Sequence, residues 1–304
     1  MKSLLLRFIL GIFAVGFVTT SGLAQTHSGA IKALKVSGIV TRIDSTGAEH
    51  AVTEGSMVSE TDAIKTGADS GLVLVFMNGS SVKLGANSKL LVEEFKMDPL
   101  ADNIAVSTLK KEPSVSQTKL NLAYGEMVGD VKKLNKSSSY NIKTPVGAAG
   151  IRGTQFRIVF FPPAAGSTVA TFQLSTSEGL VLFTGTTGAP VEVAKGNEVN
   201  VTAEVNTTTG AVTSANVVAG GISTAASAAI TTAVTDAIAQ AQSAGAFTPA
   251  EQSSAGSGSS GGSSGTPPGG EAAGGETKTE NTTPDIPAST PPQPSIPSII
   301  SPSS

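Results

Sequence analysis

The stretch TPVGAAGIRGTQF, Thr144–Phe156, decides the fold, because evenly spaced glycines lead into an apolar run. The glycines fall at every third position: Gly147, Gly150 and Gly153. The continuation FRIVFF is aromatic and β-branched, which predicts a strand with Phe156 and Ile158 on the core face. A strand here leaves no helix N-terminus to receive a phosphate, so this GxxGxxG spacing does not indicate a nucleotide site.

The same stretch is instead typical of a constrained backbone. Glycine permits positive φ angles and the close approach of neighbouring strands, and Pro145 fixes φ before the tight region. Arg152 can donate five hydrogen bonds to carbonyls or a carboxylate. We therefore interpret Arg152 as a structural clamp and predict that its loss destabilises the fold.

Short apolar runs from residue 32 to about 205 predict an all-β domain, a compact sandwich or roll of many short strands. The clearest pattern is SGLVLVFMNGSSVKLG, Ser70–Gly85, which predicts a hairpin. Asn78 and Gly79 would supply the two positive φ angles of a tight primed turn. The charged stretch from Asp98 to Thr118 is interpreted as a long connection across the sheet.

The two ends of the chain differ from this domain. Residues 1–24 have the layout of a cleaved secretory signal, with Lys2 and Arg7 in the charged region and Leu4–Val18 as the apolar region. No later segment is apolar enough to span a membrane, so we expect a periplasmic or secreted protein. The chain has no cysteine and therefore no disulfide framework.

An alanine-rich segment over 221–247 predicts one amphipathic helix. Its apolar residues recur at every fourth position: Ile222, Ala226, Ile230, Val234 and Ile238. Packing on the β domain is the favoured interpretation, and packing on a partner is the alternative. Residues 249–304 are rich in Gly, Ser and Pro, which predicts a disordered tail.

No set of residues indicates catalysis or metal binding. His27 lies near the predicted cleavage site, and His50 stands alone beside Glu49. Glu93 and Glu94 are adjacent on a predicted strand, so they should point to opposite faces. Zinc sites need clusters of Cys and His, and a net charge of −3 does not favour nucleic acid. We predict a protein that is not an enzyme and has no cofactor, no metal and no nucleic-acid partner.

Two motifs in order resemble the FecR-like periplasmic domain over about residues 37 to 160. The downstream pattern is T-P-x-A-x-x-G-x-R-G-T-x-F, and Gly147 stands where many relatives have alanine. The upstream pattern is G-x-x-V-x-x-G-D-x-I-x-T-G-x-x-S-x-x-x-L-x-F-x-D-G-S-x-V-x-L-x-x-x-S-x-L, which starts at Gly55. In it Thr61 replaces a glycine and Asn78 replaces an aspartate. The signature residues carried over are Asp62, Thr66, Gly67, Ser70, Asn78, Gly79, Thr144, Pro145, Gly147, Gly150, Arg152, Gly153, Thr154 and Phe156.

The resemblance implies a non-catalytic module that binds an envelope protein or a cell-wall component. FecR itself is a membrane-spanning sigma-factor regulator whose periplasmic part receives a signal from an outer-membrane siderophore transporter. We expect a stand-alone secreted form here, without the anti-sigma segment or a transmembrane helix. The alternative is a periplasmic sensor or adaptor that signals through a separate membrane partner.

Overall fold

The computed structural model describes residues 27–98, 105–244, 247 and 251. These residues all belong to one unit of the chain, 1–259. The predicted signal, 1–24, lies outside the described residues, as does the predicted tail apart from Glu251. Glu251 forms an ion pair with Lys32 at 2.5 Å, and Phe247 is buried in the core. The chain is therefore still docked to the β domain at residue 251.

The described chain is all-β with one α-helix, as predicted. A 3-10 turn at Val106–Thr108 precedes the longest strand. The elements in chain order are β1 (His27–Ser28), β2 (Ile31–Ser37), β3 (Val40–Ile43), β4 (Glu49–Ala51), β5 (Met57–Val58), β6 (Ala63–Thr66), β7 (Gly71–Phe76), β8 (Ser81–Leu84), β9 (Lys89–Met97), β10 (Ser116–Asp130), β11 (Ser139–Thr144), β12 (Gly147–Ile151), β13 (Gln155–Phe161), β14 (Val169–Glu178), β15 (Leu180–Gly185), β16 (Val191–Ala194), β17 (Asn197–Val205), β18 (Val212–Gly221) and α1 (Thr224–Ala244).

The strands form two sheets that share β10. Sheet A runs β4-β3-β6-β9-β10-β11-β12-β15-β16, and β1 pairs with the end of β9. Sheet B runs β5-β2-β7-β8-β10-β13-β14-β17-β18. Every pairing is antiparallel except that of β10 with β11. The strands without a predicted run in the sequence are β1, β4, β5, β6, β11, β12 and β18. Of these, β18 lies beyond the predicted domain end at 205.

A bend at Gly125 lets β10 serve both sheets. Its first part pairs with β9 and β11 in sheet A, and its last part, from Gly125, pairs with β8 and β13 in sheet B. Gly125 has a φ of +99°, and a Cβ there would lie 2.2 Å from the Ser88 Oγ. Only glycine fits, because any side chain would meet both a disfavoured φ and a neighbouring strand.

The core lies between the two sheets. Phe76 of sheet B meets Phe95 of sheet A edge to face, with ring centroids 5.1 Å apart. Phe172 of sheet B stacks on Phe183 of sheet A at 4.8 Å. Aromatic pairs of this kind add about 0.5–1.5 kcal/mol beyond the burial of their area. These contacts fix how the sheets face each other.

Helix α1 covers the outer face of sheet B. Its first turn is capped, because the Ala226 N–H donates to the Ser223 Oγ at 3.3 Å. The buried face contains residues at helical spacing: Ala226, Ile230, Ala233, Val234, Ala237 and Ala241. Ile230 and Val234 pack on Val128 of β10. Packing on the β domain is thus the observed arrangement, although Ile238, predicted on the same face, is exposed.

Two local predictions were wrong. The β7–β8 connection has four residues, Met77–Ser80, and Asn78 does not have a positive φ, unlike Gly79 at +88°. Asn78 is held instead by side-chain bonds, accepting the Ser80 N–H and donating to the Ser116 Oγ. Glu93 and Glu94 lie on the same face, because the pairing of β9 with β10 slips by one residue there.

Candidate functional site

The upstream signature residues hold turns together. Asp62 is buried and accepts the Arg42 Nη1–H at 3.0 Å and the Ser59 N–H at 2.8 Å. The Thr66 Oγ1 donates to the Gly85 carbonyl at 2.6 Å and accepts the Ser88 N–H at 2.9 Å. The side chains of Asp62 and Thr66 thus have hydrogen-bond partners within the fold. These residues explain the local backbone, and they leave no group free for a ligand.

The next four signature residues also serve the backbone. The Gly67 N–H donates to the Ile39 carbonyl, and the Ser70 Oγ accepts the Ile39 N–H at 2.9 Å. Asn78 is fully buried, and its side chain makes the two hydrogen bonds described above. Gly79 lies so close to Leu109 that an added Cβ would be 3.0 Å from its Cδ1. The upstream motif is therefore a set of turn residues.

The downstream motif begins with a tight connection from β11 to β12. Thr144 is the register partner of Gly147, and its Oγ1 donates to the Gly147 carbonyl at 2.9 Å. Pro145 is exposed at the turn. A Cβ on Gly147 would lie 2.5 Å from the Thr184 carbonyl oxygen, so glycine is needed for β12 to approach β15.

The end of the motif leads the chain from sheet A into sheet B. Gly153 has a φ of +68°, which favours glycine. Thr154 exchanges backbone hydrogen bonds with Val131 and donates its Oγ1–H to the Leu180 carbonyl at 3.2 Å. Phe156 is fully buried, and so is Ile158, as predicted. This part of the motif works as a structural corner.

Arg152 differs from the rest of the signature. Its side chain is exposed, and within the described residues its guanidinium has no hydrogen bond and no ion pair. The clamp interpretation is therefore wrong. The residue continues the outward side of β12, after Ala148 and Gly150, so it points away from the carbonyls of the corner.

The surface around Arg152 is a shallow depression in the outer face of sheet A. It has a volume of about 290 Å³, and its lining includes Gly150, Arg152, Leu180 and Leu182. The two leucines are 42% and 45% exposed. In the register, Gly150 lies opposite Leu182 on one side and Asn141 on the other. We call this set, with Asn141, the Arg152 surface.

Gly150 is not required by the backbone or by packing. Its φ is not in the left-handed region, and the nearest atoms to an added Cβ are 3.8 Å and 3.9 Å away. The absent side chain therefore leaves space rather than relieving a clash. That space forms the floor of the depression beside Leu182.

The clamp role belongs to Arg157, which the sequence analysis did not single out. The Arg157 Nε donates to the Glu126 Oε1 at 2.7 Å, and its Nη1 donates to the Gln173 Oε1 at 2.6 Å. These bonds connect β10, β13 and β14 across the face that α1 covers. Alternation from the buried Phe156 places residue 157 on the outward side, but no local signal reveals its partners.

Glu198 connects the same face to the start of α1. Its Oε2 accepts the Ser223 N–H at 3.1 Å and the Ser175 Oγ–H at 3.2 Å. Burial alone would raise the pKa of Glu198, but hydrogen bonds from Ser223, Asn200 and Ser175 outweigh it and hold the pKa below its usual value. The charged form of Glu198 thus favours the docked helix.

The adjacent carboxylates lie on the open face of sheet A in ion pairs. Glu93 accepts from the Lys143 Nζ at 2.7 Å, and Glu94 accepts from the Lys119 Nζ. The hydrogen bond from Lys119 lowers the pKa of Glu94, and the same bond raises the pKa of Lys119. The lowered pKa holds Glu94 in its charged form at neutral pH.

Other chemical groups are dispersed over the described chain. His50 is paired with Asp44 at 2.9 Å rather than standing alone. Over residues 27–98 and 105–244, with 247 and 251, no three His, Asp or Glu side chains come together as a metal site would require. In that same portion, no helix has both the length and the apolar character needed to cross a bilayer.

The fold and the site define an all-β domain whose signature residues support turns and whose exposed motif arginine borders an apolar depression. Residues 62–182 match the family described as FecR protein. This range includes every signature residue from Asp62 to Phe156. This match over residues 62–182 confirms the resemblance to FecR seen in the sequence.

Similarity to other proteins is limited. None of the curated proteins compared with the chain matches it. Two crystal structures of a protein from Parabacteroides distasonis ATCC 8503, provisionally described as an anti-sigma factor, match with 11% and 12% identity and TM-scores of 0.35 and 0.36. Each match covers 52% of this chain and 59% of that one. The chain thus spans about three fifths of that protein, and this likeness carries no argument about function.

Proposed function

We propose that this chain is an exported, non-catalytic binding module of the cell envelope, and that its FecR domain holds a protein partner at the Arg152 surface. One observation carries the proposal: the exposed motif arginine has no partner among the described residues and lies beside two exposed leucines. The predicted signal at 1–24, the predicted tail and a periplasmic or secreted location are parts of this proposal.

The chemistry of the surface favours a protein over a sugar or a nucleotide. Arginine presents a planar fork of donors that matches a carboxylate, and it is enriched at the centres of protein interfaces. Leu180 and Leu182 would become buried beside it, at about 25 cal/mol for each Å² of apolar surface removed from water. The floor at Gly150 has room for one partner side chain. The fitting partner segment thus carries an Asp or Glu next to an apolar residue.

The absence of catalysis is also part of the proposal. The depression at the Arg152 surface contains no carboxylate and no histidine among its lining residues. Glu93 and Glu94 lie on one face, but each is held in an ion pair with a lysine. A glycosidase would need one carboxyl group that keeps its proton near neutral pH.

The FecR match also favours a second candidate function, that of a periplasmic sensor or adaptor in transmembrane signalling. Both candidates use the same binding surface. They differ in the partner, which would be a membrane protein of a signalling pathway in the second case and any envelope protein in the first.

The test is a capture experiment with matched variants. Residues 25–304 serve as bait against solubilised envelope and against purified peptidoglycan, and so does a form that ends at Glu251 and keeps its ion pair with Lys32. Arg152→Ala and Leu182→Ser should each weaken capture of the same protein at least fivefold, which is about 1 kcal/mol. Lys65→Ala and Ile39→Ser are the controls, because β9 and β10 separate those residues from β11, the nearest strand of the surface.

The outcomes separate the hypotheses. Capture that depends on Arg152 and persists without residues 252–304 supports the proposal, and a captured membrane signalling protein selects the sensor. The proposal is refuted if capture is unchanged by all four substitutions, or if it occurs only on peptidoglycan and requires the tail. Residues 1–24 are tested separately, because N-terminal sequencing of the exported protein should start at Gln25.

A further inference from the structure

The edges of the two sheets are protected unequally. Edge strands β4, β5 and β16 are short, with two to four residues each, and charged residues lie within or beside them, such as Glu49 and Glu192. Strand β18 is an edge strand of ten residues, VTSANVVAGG, without charge and without proline. It pairs with β17 on one side only in the described chain. Proteins usually protect long edges with charges, bulges or proline, because free backbone groups bind further strands.

The hydrogen bonds of β18 reveal which groups are free. The Ile222 N–H donates to the Gly196 carbonyl at 2.8 Å, in the same register that pairs Gly221 with Asn197. Directly opposed residues of an antiparallel pair alternate between bonded and non-bonded. Residues 214, 216, 218 and 220 therefore bond to β17. The residues that direct N–H and C=O outward are Ala215, Val217, Ala219 and Gly221.

These outward groups are complementary to themselves. When β18 meets an identical strand in the antiparallel direction, a register centred on Val218 pairs Val217 with residue 219 of the second copy and Ala215 with residue 221. Every outward N–H and C=O then has a partner. Because the strand has no charge, identical strands do not repel each other at any position.

The side chains favour the same register. Val218 is 55% exposed and lies on the outer face, since it is the register partner of the exposed Asn200. Centring the axis on Val218 makes the two valines directly opposed. Val217, 36% exposed on the core side, would pack against Ala219 of the second copy and continue the core.

We infer that β18 pairs with β18 of a second copy of this chain, antiparallel about a twofold axis at Val218, and joins two copies of sheet B into one continuous sheet. This interface is separate from the Arg152 surface, which lies on the outer face of sheet A. A dimer would therefore present two Arg152 surfaces to its partners.

Cysteine cross-linking tests the register directly, because the chain has no cysteine of its own. Residues at a non-bonded antiparallel position have Cα atoms about 4.5 Å apart, within the range of a disulfide. Val218→Cys in residues 25–304 should give a covalent dimer on mild oxidation. Asn216→Cys is the control, because two residues 216 would lie roughly 14 Å apart in this register. A monomer for Val218→Cys, or equal cross-linking at 216, overturns the inference.

Charge exchange gives a second, non-covalent test. Val218→Lys and Val218→Glu should each be monomeric in sedimentation velocity, because like charges become directly opposed. An equimolar mixture of the two variants should restore the dimer. Unchanged melting temperatures would show that the exposed substitutions leave the fold intact. If the unsubstituted chain stays monomeric at every concentration, the inference is refuted. The edge of β18 would then be available to a strand of a different protein.

Discussion

Two arginines five residues apart, Arg152 within the motif and Arg157 directly after it, should have different effects when removed. Arg157→Ala removes the bonds of its guanidinium to Glu126 and Gln173, at 2.7 and 2.6 Å. Arg152→Ala removes a guanidinium that has no partner in the described chain. The first change should therefore act on stability and the second on partner binding.

The size of the stability loss expected for Arg157→Ala follows from the solvent exposure of Arg157 and of its partner Glu126. Hydrogen bonds of charged groups contribute about 1.5–3 kcal/mol, and less when the abandoned partner regains water. The side chain of Glu126 is 35% exposed, so it regains part of its hydration, whereas that of Arg157 is only 19% exposed. We expect a loss of about 1–2 kcal/mol for Arg157→Ala. For a domain of this size, that corresponds to a melting temperature lower by about 2–8 °C.

The assay is thermal and urea unfolding of both variants under the same conditions. Arg152→Ala should stay within about 0.5 kcal/mol of the unsubstituted chain, as is usual for exposed residues. Arg157→Lys is an informative third variant, because it keeps the charge but cannot make both bonds in the same geometry. Equal losses for the two alanine variants, or a loss confined to Arg152, would refute the assignment of roles.

Three further predictions concern single positions. Thr61 has a φ of +71° where the family pattern has glycine. Thr61→Gly should therefore raise the free energy of unfolding by about 0.5–1 kcal/mol, seen as a higher urea midpoint, because the relieved backbone strain exceeds the added chain entropy. Gly125→Ala should lower the free energy of unfolding by about 2–5 kcal/mol, because its Cβ would overlap Ser88. An unfolding curve like that of the unsubstituted chain would contradict the bend assigned to β10 at this residue. Glu198→Gln should cost about 1 kcal/mol at pH 7. Because the folded pKa of Glu198 is lowered, its contribution is present above the unfolded pKa of about 4.3 and is lost as the pH falls below it, so the difference between the two proteins should vanish in acid.

Much of the fold could be predicted because its signals are local. Apolar runs bounded by Gly, Asn and Pro predicted most strands, and the fourfold spacing from Ile222 to Val234 predicted a helix that packs on the domain. The order of the two motifs predicted a FecR-like domain over about residues 37 to 160, and the family match over 62–182 includes every signature residue. These properties depend on residues close together in the chain.

The errors share a different cause, which is pairing between distant strands. The slip between β9 and β10 moved Glu93 and Glu94 to one face, although alternation along a regular strand would separate them. Strand β18 is uncharged and rich in small residues, and it becomes recognisable as a strand only through its pairing with β17.

The sequence by itself determined that this is an all-β domain with a FecR signature and one amphipathic helix, because periodicity and turn chemistry act over a few residues. Only the tertiary structure decided that Arg157 is a clamp and that Arg152 is free for a partner. The two differ in the strands that surround them, Glu126 and Gln173 for Arg157 and open solvent for Arg152. That difference arises from contacts far apart in the chain, which local patterns do not encode.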